Sequence, residues 1–194
     1  MLIVLIICAY LFGAIPTGVL LTRLAGKEDI RTSGSGNIGA TNVYRVAGRS
    51  LGILTLIGDC LKGALPVLLA LRIFELQGVP LALVALAAFL GHCYPVYLGF
   101  KGGKGVATAL GIFLVLSPLA VLCALIVFVL FLWHWRFISL ASIAAAATIP
   151  FAVLLTTASL PFFSVTLIIA AVVIWRHKSN IERLRSGSEN RFSF

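Results

Sequence analysis

Six apolar runs, residues 2–22, 51–71, 80–98, 106–133, 138–155 and 161–175, occupy most of the chain, with short polar stretches between them. A chain of 194 residues has no globular interior large enough to hide them. In hydrocarbon, where no water can satisfy backbone N–H and C=O groups, runs of about 20 residues have to close their hydrogen bonds within themselves, as α-helices. Composition agrees: hydrophobic residues make up 61% of the chain and charged residues 11%, with a mean hydropathy of +1.12, whereas soluble domains carry about 25% charged residues. The expectation is an all-α integral membrane protein forming one domain, residues 1–194. The first run has neither a basic leader nor a small-residue cleavage site, so it reads as a retained span. Cys8, Cys60, Cys93 and Cys123 lie scattered in apolar segments at no metal-binding spacing, so neither a metal nor a disulfide framework is expected.

The run 106–133 is too long for one ordinary span and carries Ser117-Pro118 near its middle, where proline ends one helix or starts another. Lysine and arginine accumulate in cytoplasmic loops, which decides the count. With a break at Ser117-Pro118 and the N-terminus outside, the inner side collects Arg23, Lys27, Arg31, Arg45, Arg49, Lys101, Lys104, Arg136, Arg176, Lys178, Arg183, Arg185 and Arg191, thirteen of the 15 basic residues. Six spans would divide them evenly between the two sides. Seven transmembrane helices are therefore predicted, N-terminus out and C-terminus in. Residues 106–116 then form a helix only about 16 Å long at 1.5 Å per residue, against a hydrocarbon core of about 30 Å. Its start is recessed, and its N-terminus turns unpaired N–H groups and partial positive charge toward whatever lies there.

Under this topology three polar clusters face the cytoplasm. In the first, SGSGNIGATNVYR (33–45), glycines allow the backbone to turn back on itself, while Ser35, Gly36, Asn37, Thr41 and Asn42 offer donors near Arg45. The second, GHCYPVYLGFKGGKGVAT (91–108), surrounds Lys104 with Gly102, Gly103 and Gly105. It lacks the Walker A spacing, because Leu98 stands where a glycine is needed and Gly105 where Ser or Thr is needed. Nucleotide hydrolysis is thereby unsupported, whereas a phosphate nest with an ammonium beside it fits. The third, HKSNIERLRSGSEN (177–190), puts His177 and Asn180 at i, i+3, with Glu182 near cations it could hold. Asp59 and Lys62 stand at i, i+3 inside the second run, where embedded charges are paired or functional. The simpler reading is a structural ion pair, the other a substrate contact.

These three segments, in this order and along the whole chain, closely resemble the motif regions of the bacterial acyl-phosphate-dependent glycerol-3-phosphate acyltransferases, the PlsY family. The resemblance implies transfer of a fatty acyl group from acyl phosphate to the first hydroxyl of glycerol 3-phosphate, giving lysophosphatidic acid and phosphate, with no cofactor and no metal. It implies that Ser35, Arg45, Lys104, His177 and Asn180 form the reacting pocket. Gly36, Asn37, Thr41, Gly102, Gly103 and Gly105 would serve the phosphates, and Glu182 would hold the tail in place. Which phosphate occupies which nest stays open, as does the proton acceptor, either His177 or a substrate phosphate oxygen. Acyl phosphate is an activated mixed anhydride, so position and charge suffice for catalysis. The expected partners are the two substrates and membrane lipid, not nucleic acid, with a monomer as the simplest assembly. The expected place is the bacterial inner membrane, with the site facing the cytoplasm. A carrier for phosphorylated metabolites is the competing class, since broken helices aimed at anions recur in transporters. Against it, no inverted repeat is visible and every polar cluster falls on one side.

Overall fold

The computed structural model describes residues 1–192, which are helical with no strand among them. The chain divides into two compact units, Met1–Val115 and Leu116–Phe194. The first contains α1 (Leu2–Gly13), α2 (Thr17–Leu24), α3 (Ala40–Ala47), α4 (Arg49–Arg72), α5 (Gly78–Cys93), a 3-10 turn (Val96–Leu98) and α6 (Val106–Leu116). The second contains α7 (Pro118–Trp135), α8 (Ile138–Thr157), α9 (Leu160–Arg176) and α10 (Lys178–Arg185).

The first apolar run is not one continuous helix, as hydropathy suggests, but two, α1 and α2, bent by 42°. Pro16 accounts for the break: it disfavours helical geometry at Ile15 and brings no N–H of its own. The Ile15 carbonyl at the break accepts hydrogen bonds from the Thr17 N–H at 3.0 Å and the Lys62 ammonium at 2.8 Å. Lys62 also forms an ion pair with Asp59 at 2.8 Å, both side chains being buried. His92 Nδ1 lies 3.7 Å from the same carboxylate oxygen, beyond hydrogen-bonding distance. The intramembrane charges thus join α4 to the kink in the first run.

Small residues let these helices approach closely, as membrane packing without a hydrophobic driving force requires. A Cβ on Gly13 would collide with the Ala88 backbone of α5, and one on Gly91 with the Tyr10 carbonyl and the Ala14 nitrogen. Beside this contact the Tyr10 hydroxyl donates to the Tyr94 carbonyl at 2.7 Å. Between α4 and α6, Gly63 faces the Thr108 backbone and Gly111 faces the Cys60 backbone, with no room for a methyl at either. Gly91→Ala should therefore force two backbones apart and destabilise the protein by about 1–3 kcal/mol, read as a lower unfolding midpoint in detergent. An unchanged midpoint would mean that α1 and α5 are not held this closely.

The second unit begins where the long fourth run was expected to divide. Ser117 leaves helical geometry, Pro118 opens α7, and the Ser117 and Thr156 hydroxyls share a hydrogen bond at 2.7 Å that ties the start of α7 to the end of α8. Only 17% of the apolar window of α7 is buried. Leu122, Ile126, Val129 and Trp133 are among its exposed side chains, a surface suited to hydrocarbon rather than water. Among the described residues four helices are long and apolar enough to cross a membrane, or up to six if each bent pair is one span. The short apolar helix α6 stands in addition to these.

Candidate active site

In the first cluster the structure separates framework from available groups. The segment expected as a glycine-rich loop becomes helical from Ala40, so Thr41, Asn42 and Arg45 stand on α3. Val43 is buried with Ile30 and Ile38, and Val46, Leu51 and Leu98 pack against them. Leu98 belongs to the second cluster, so this apolar knot holds the two segments together. Asn42 is buried and fully engaged: its Oδ1 accepts the Ser35 N–H at 2.9 Å, and its Nδ2 donates to the Ile30 and Ser33 carbonyls at 2.9 and 3.1 Å. Gly34 and Gly36 take the positive φ values that this reversal needs, 62° and 67°. Asn37 Oδ1 accepts the Gly39 N–H at 2.8 Å, just before α3.

Asn42, read from the sequence as a donor to an anion, is instead what shapes the loop. Ser35 and Arg45 are exposed and Thr41 half-buried; among the described residues the two hydroxyls make no hydrogen bond and the guanidinium no ion pair. The approach to the loop is set by Asp29, which accepts the Arg31 backbone N–H at 3.0 Å and its Nε–H at 2.9 Å. The hydrogen bond from the Arg31 side chain, helped by the one from its backbone, holds the Asp29 carboxyl down to about 2.

The second cluster is folded back onto the end of α5. The Gly103 N–H donates to the His92 carbonyl at 3.2 Å. A Cβ on Gly102 would strike the His92 carbonyl and Pro95, one on Gly103 the His92 ring, and one on Gly105, at φ 83°, the Phe89 ring. These glycines permit close approach, and the Gly103 N–H expected to serve a phosphate is turned to His92. His92 is buried, within this packing. Lys104 is half-buried on the turn that opens α6, and Lys101 is exposed.

The third cluster lies at the 52° bend between α9 and α10. The His177 N–H bonds to the Ile174 carbonyl at 3.0 Å, and its ring Nδ1 lies 2.8 Å from the Val173 carbonyl. A carbonyl only accepts, so Nδ1 carries hydrogen and the lone pair of the neutral ring is on Nε2. His177 and Asn180 are both buried, at 2% and 6% exposure. Glu182 is exposed on the wall of a groove of about 400 Å³ shared with Trp175, Arg176, Lys178 and Ser179. The tail-holding expected of Glu182 is done by Glu189. Its carboxylate accepts Ser139 Oγ–H, Asn180 Nδ2–H and Arg183 Nε–H, each at 2.7 Å. Burial raises the Glu189 carboxyl, but the bonds from Asn180, Ser139 and Arg183, with the Arg183 charge, leave it below the usual range. Sequence reading missed Glu189 and Ser139; the one signal was an acid in a basic tail, in a chain with six acidic residues.

Asp59 and Lys62 lie inside the helix packing of the first unit, as described above. Among the described residues no group of three His, Cys, Asp or Glu side chains could hold a metal ion.

The family described as glycerol-3-phosphate acyltransferase matches residues 3–187. The glycerol-3-phosphate acyltransferase of Syntrophotalea carbinolica is 64% identical over 189 residues, covering 97% of this chain and 96% of that protein. The one of Geobacter sulfurreducens is 56% identical over 190 residues, covering 98% and 97%. A crystal structure of PlsY, an integral membrane glycerol 3-phosphate acyltransferase in its glycerol 3-phosphate form, has a TM-score of 0.93 and 42% identity, over 99% of this chain and 96% of that one. Its lysophosphatidic acid form has a TM-score of 0.90 and 41% identity, over 99% and 95%. With the family match and the fold both extending over nearly its whole length, this chain, a multi-pass integral membrane protein, belongs to the glycerol-3-phosphate acyltransferase family.

Proposed function

We propose that this acyltransferase takes its acyl group from acyl phosphate and places it on the sn-1 hydroxyl of glycerol 3-phosphate, releasing lysophosphatidic acid and phosphate. The observation that carries the reading is the first cluster: a guanidinium and two hydroxyls that have no internal partner among the described residues, on the loop braced by Asn42 and the first turns of α3. Such a set suits a phosphate, and both substrates carry one. The relatives described above in glycerol 3-phosphate and lysophosphatidic acid forms support the acceptor substrate and the product.

In the proposed reaction the glycerol hydroxyl oxygen attacks the acyl carbonyl carbon and the bond from that carbon to the phosphate oxygen breaks. The hydroxyl proton passes to a substrate phosphate oxygen. Ser35 and Thr41 serve one phosphate, and Gly102, Gly103 and Gly105 let the turn that carries Lys104 pack closely beside it; Gly36 and Asn37 shape the first loop. Arg45 and Lys104 supply the cations, while His177 and Asn180 orient the attacking hydroxyl. A carboxylate-free constellation of this kind works by position and charge, not by a covalent nucleophile. Residues 1–194 act as one acyltransferase domain, working as a monomer. Membership of an enzyme family removes the reason to prefer a carrier.

Seven spans are the topology we favour: the bent α1–α2 pair, α4, α5, the short α6, α7, α8 and α9. The N-terminus lies outside, and the three clusters face the cytoplasm at the inner membrane. The separation of α6 from α7 at Ser117 supports this count, as does the distribution of basic residues.

Purified protein in detergent, without a vesicle gradient, should release phosphate from acyl phosphate only when glycerol 3-phosphate is present. Acyl-CoA and acyl carrier protein should not substitute, and equal rates with either would overturn the donor assignment. His177→Ala should lower kcat by about 10²-fold, the cost of a misplaced attacking group; normal turnover at saturating substrate would remove His177 from the site.

A further inference from the structure

We propose that the groove on the exposed face of α10 binds the headgroup of a bilayer phospholipid that carries both a phosphate and a primary ammonium, the phosphoethanolamine type. The groove, of about 400 Å³, is lined by Trp175 and Arg176 at the end of α9 and by Lys178, Ser179 and Glu182 on α10. Its volume falls in the range of small-molecule sites, roughly 300–1,000 Å³. It is separate from the candidate reaction site, because α10 has two faces. Lys178 and Glu182 stand at i, i+4 and Ser179 and Glu182 at i, i+3, so the three share the exposed face. His177, just before the helix, and Asn180 are buried on the other.

The depth of the groove points to a lipid. Trp175 is an exposed indole at the end of the apolar helix α9, and the other two tryptophans of the chain, Trp133 and Trp135, are exposed at the end of α7. Both helices pack on α8, to which each is joined by a short turn, so they run the same way and end on the same side of the second unit. Tryptophan gathers at the headgroup level of a bilayer, where its ring is in apolar surroundings and its N–H is wet. All three tryptophans therefore set this end of the unit among the headgroups. The charges then select one kind. Lys178 and Glu182 carry opposite charges one helical turn apart, with Cβ atoms about 5–6 Å apart in such a pair, yet among the described residues neither forms an ion pair. Lys178 and the Ser179 hydroxyl offer donors to a phosphate, while Glu182 accepts from the N–H groups of an ammonium and Trp175 offers an aromatic face to the same cation. A purely anionic headgroup meets repulsion at Glu182, and a quaternary ammonium has no N–H to give it. A phosphate and a primary ammonium two carbons apart match both ends.

The test uses the full-length protein with Trp133→Phe and Trp135→Phe, so that Trp175 is the single indole, reconstituted in phosphatidylcholine bilayers. Phosphatidylethanolamine, phosphatidylglycerol or phosphatidylcholine with brominated acyl chains is added in rising mole fraction, and quenching of Trp175 fluorescence is read. Phosphatidylethanolamine should reach half-quenching at a mole fraction about 5-fold lower than either of the others, the weight of one charge placed at a headgroup layer. Lys178→Met should weaken its binding by about the same factor. Glu182→Gln should erase the preference over phosphatidylglycerol. Lys178→Arg keeps the cation and should keep the preference, which separates a lost contact from a misfolded variant, and the unfolding midpoint of each protein is recorded beside it.

Several results would overturn the proposal. Equal quenching by the three lipids would make Trp175 part of an unselective lipid belt, and a preference for phosphatidylglycerol would mean that Glu182 reads no ammonium. An unchanged preference in both Lys178→Met and Glu182→Gln at intact midpoints would put the headgroup elsewhere. Displacement of the brominated lipid by free phosphoethanolamine would make the ligand a soluble one. Displacement by glycerol 3-phosphate would place the groove inside the reaction site, and its separate role would be lost.

Discussion

Lys104→Ala is expected to reduce kcat by about 10²–10³-fold, the usual consequence of removing one electrostatic stabiliser from a reacting centre. As the acyl carbon leaves the phosphate, negative charge grows on the oxygen that departs, so a cation there stabilises the transition state more than bound substrate. Lys104 is carried on a turn held against α5 by the bond from the Gly103 N–H to the His92 carbonyl and by the absence of any Cβ at Gly102 and Gly103. The ammonium is therefore presented from a fixed backbone. The loss should fall on kcat more than on KM. Lys104→Arg should restore only part of it, because a planar guanidinium does not replace a compact point charge. The exposed Lys101 provides the control, and Lys101→Ala should leave turnover close to wild type. If Lys104→Ala kept more than a tenth of normal kcat, the second cluster would be a membrane anchor and the cation of the reaction would have to be sought elsewhere.

The largest expected effect on stability is at Asp59. Asp59→Ala leaves the Lys62 ammonium buried with the Ile15 carbonyl and no counter-charge, a change that typically costs about 3–5 kcal/mol. The double replacement Asp59→Leu with Lys62→Met removes both charges and should regain much of the loss, since apolar pairs of similar volume replace buried ion pairs well. Unfolding midpoints of the three proteins in one detergent would show the order. The same proteins settle what the pair is for: in a structural pair, the folded double variant keeps the wild-type KM for glycerol 3-phosphate. A large rise in KM at an intact midpoint would make Asp59 and Lys62 substrate ligands.

Features set by local punctuation were legible in the sequence. The helix Val106–Leu116 appears with its expected limits because Gly105 precedes it and Ser117-Pro118 follows, and each acts on its own neighbours. The Asp59–Lys62 pair was legible for the same reason, since an i, i+3 spacing fixes proximity on a helix. Hydropathy, by contrast, concealed the kink at Pro16, because an apolar run scores the same whether straight or bent. Glycine, serine and asparagine concealed α3, since residues favoured in turns also precede and begin helices; here Val43 and Val46 pack into an apolar knot that favours helix. Asn42 was legible as a polar residue of the first cluster, but not as its brace, because its partners are the main chain of a loop still to be formed. Glu189 lay furthest out of reach: its partner Ser139 is 50 positions away, and no local spacing records such a contact. Glu182, nearer to the other tail residues in sequence, was the natural choice and proved exposed.

The bond from Lys62 to the Ile15 carbonyl joins groups 47 positions apart in the chain, and this separation gives the protein an order of assembly. The segment with the kink is made before α4, when the bonds available at the break are local ones such as that from the Thr17 N–H to the Ile15 carbonyl. At about 5–20 residues per second, Lys62 follows some 2–10 s later. During that interval the amino-terminal segment is a hinge, free to sample other angles at Pro16, and the arrival of the fourth helix locks it. A charge inside the bilayer is in this sense a timing device, turning a later helix into the latch for an earlier one.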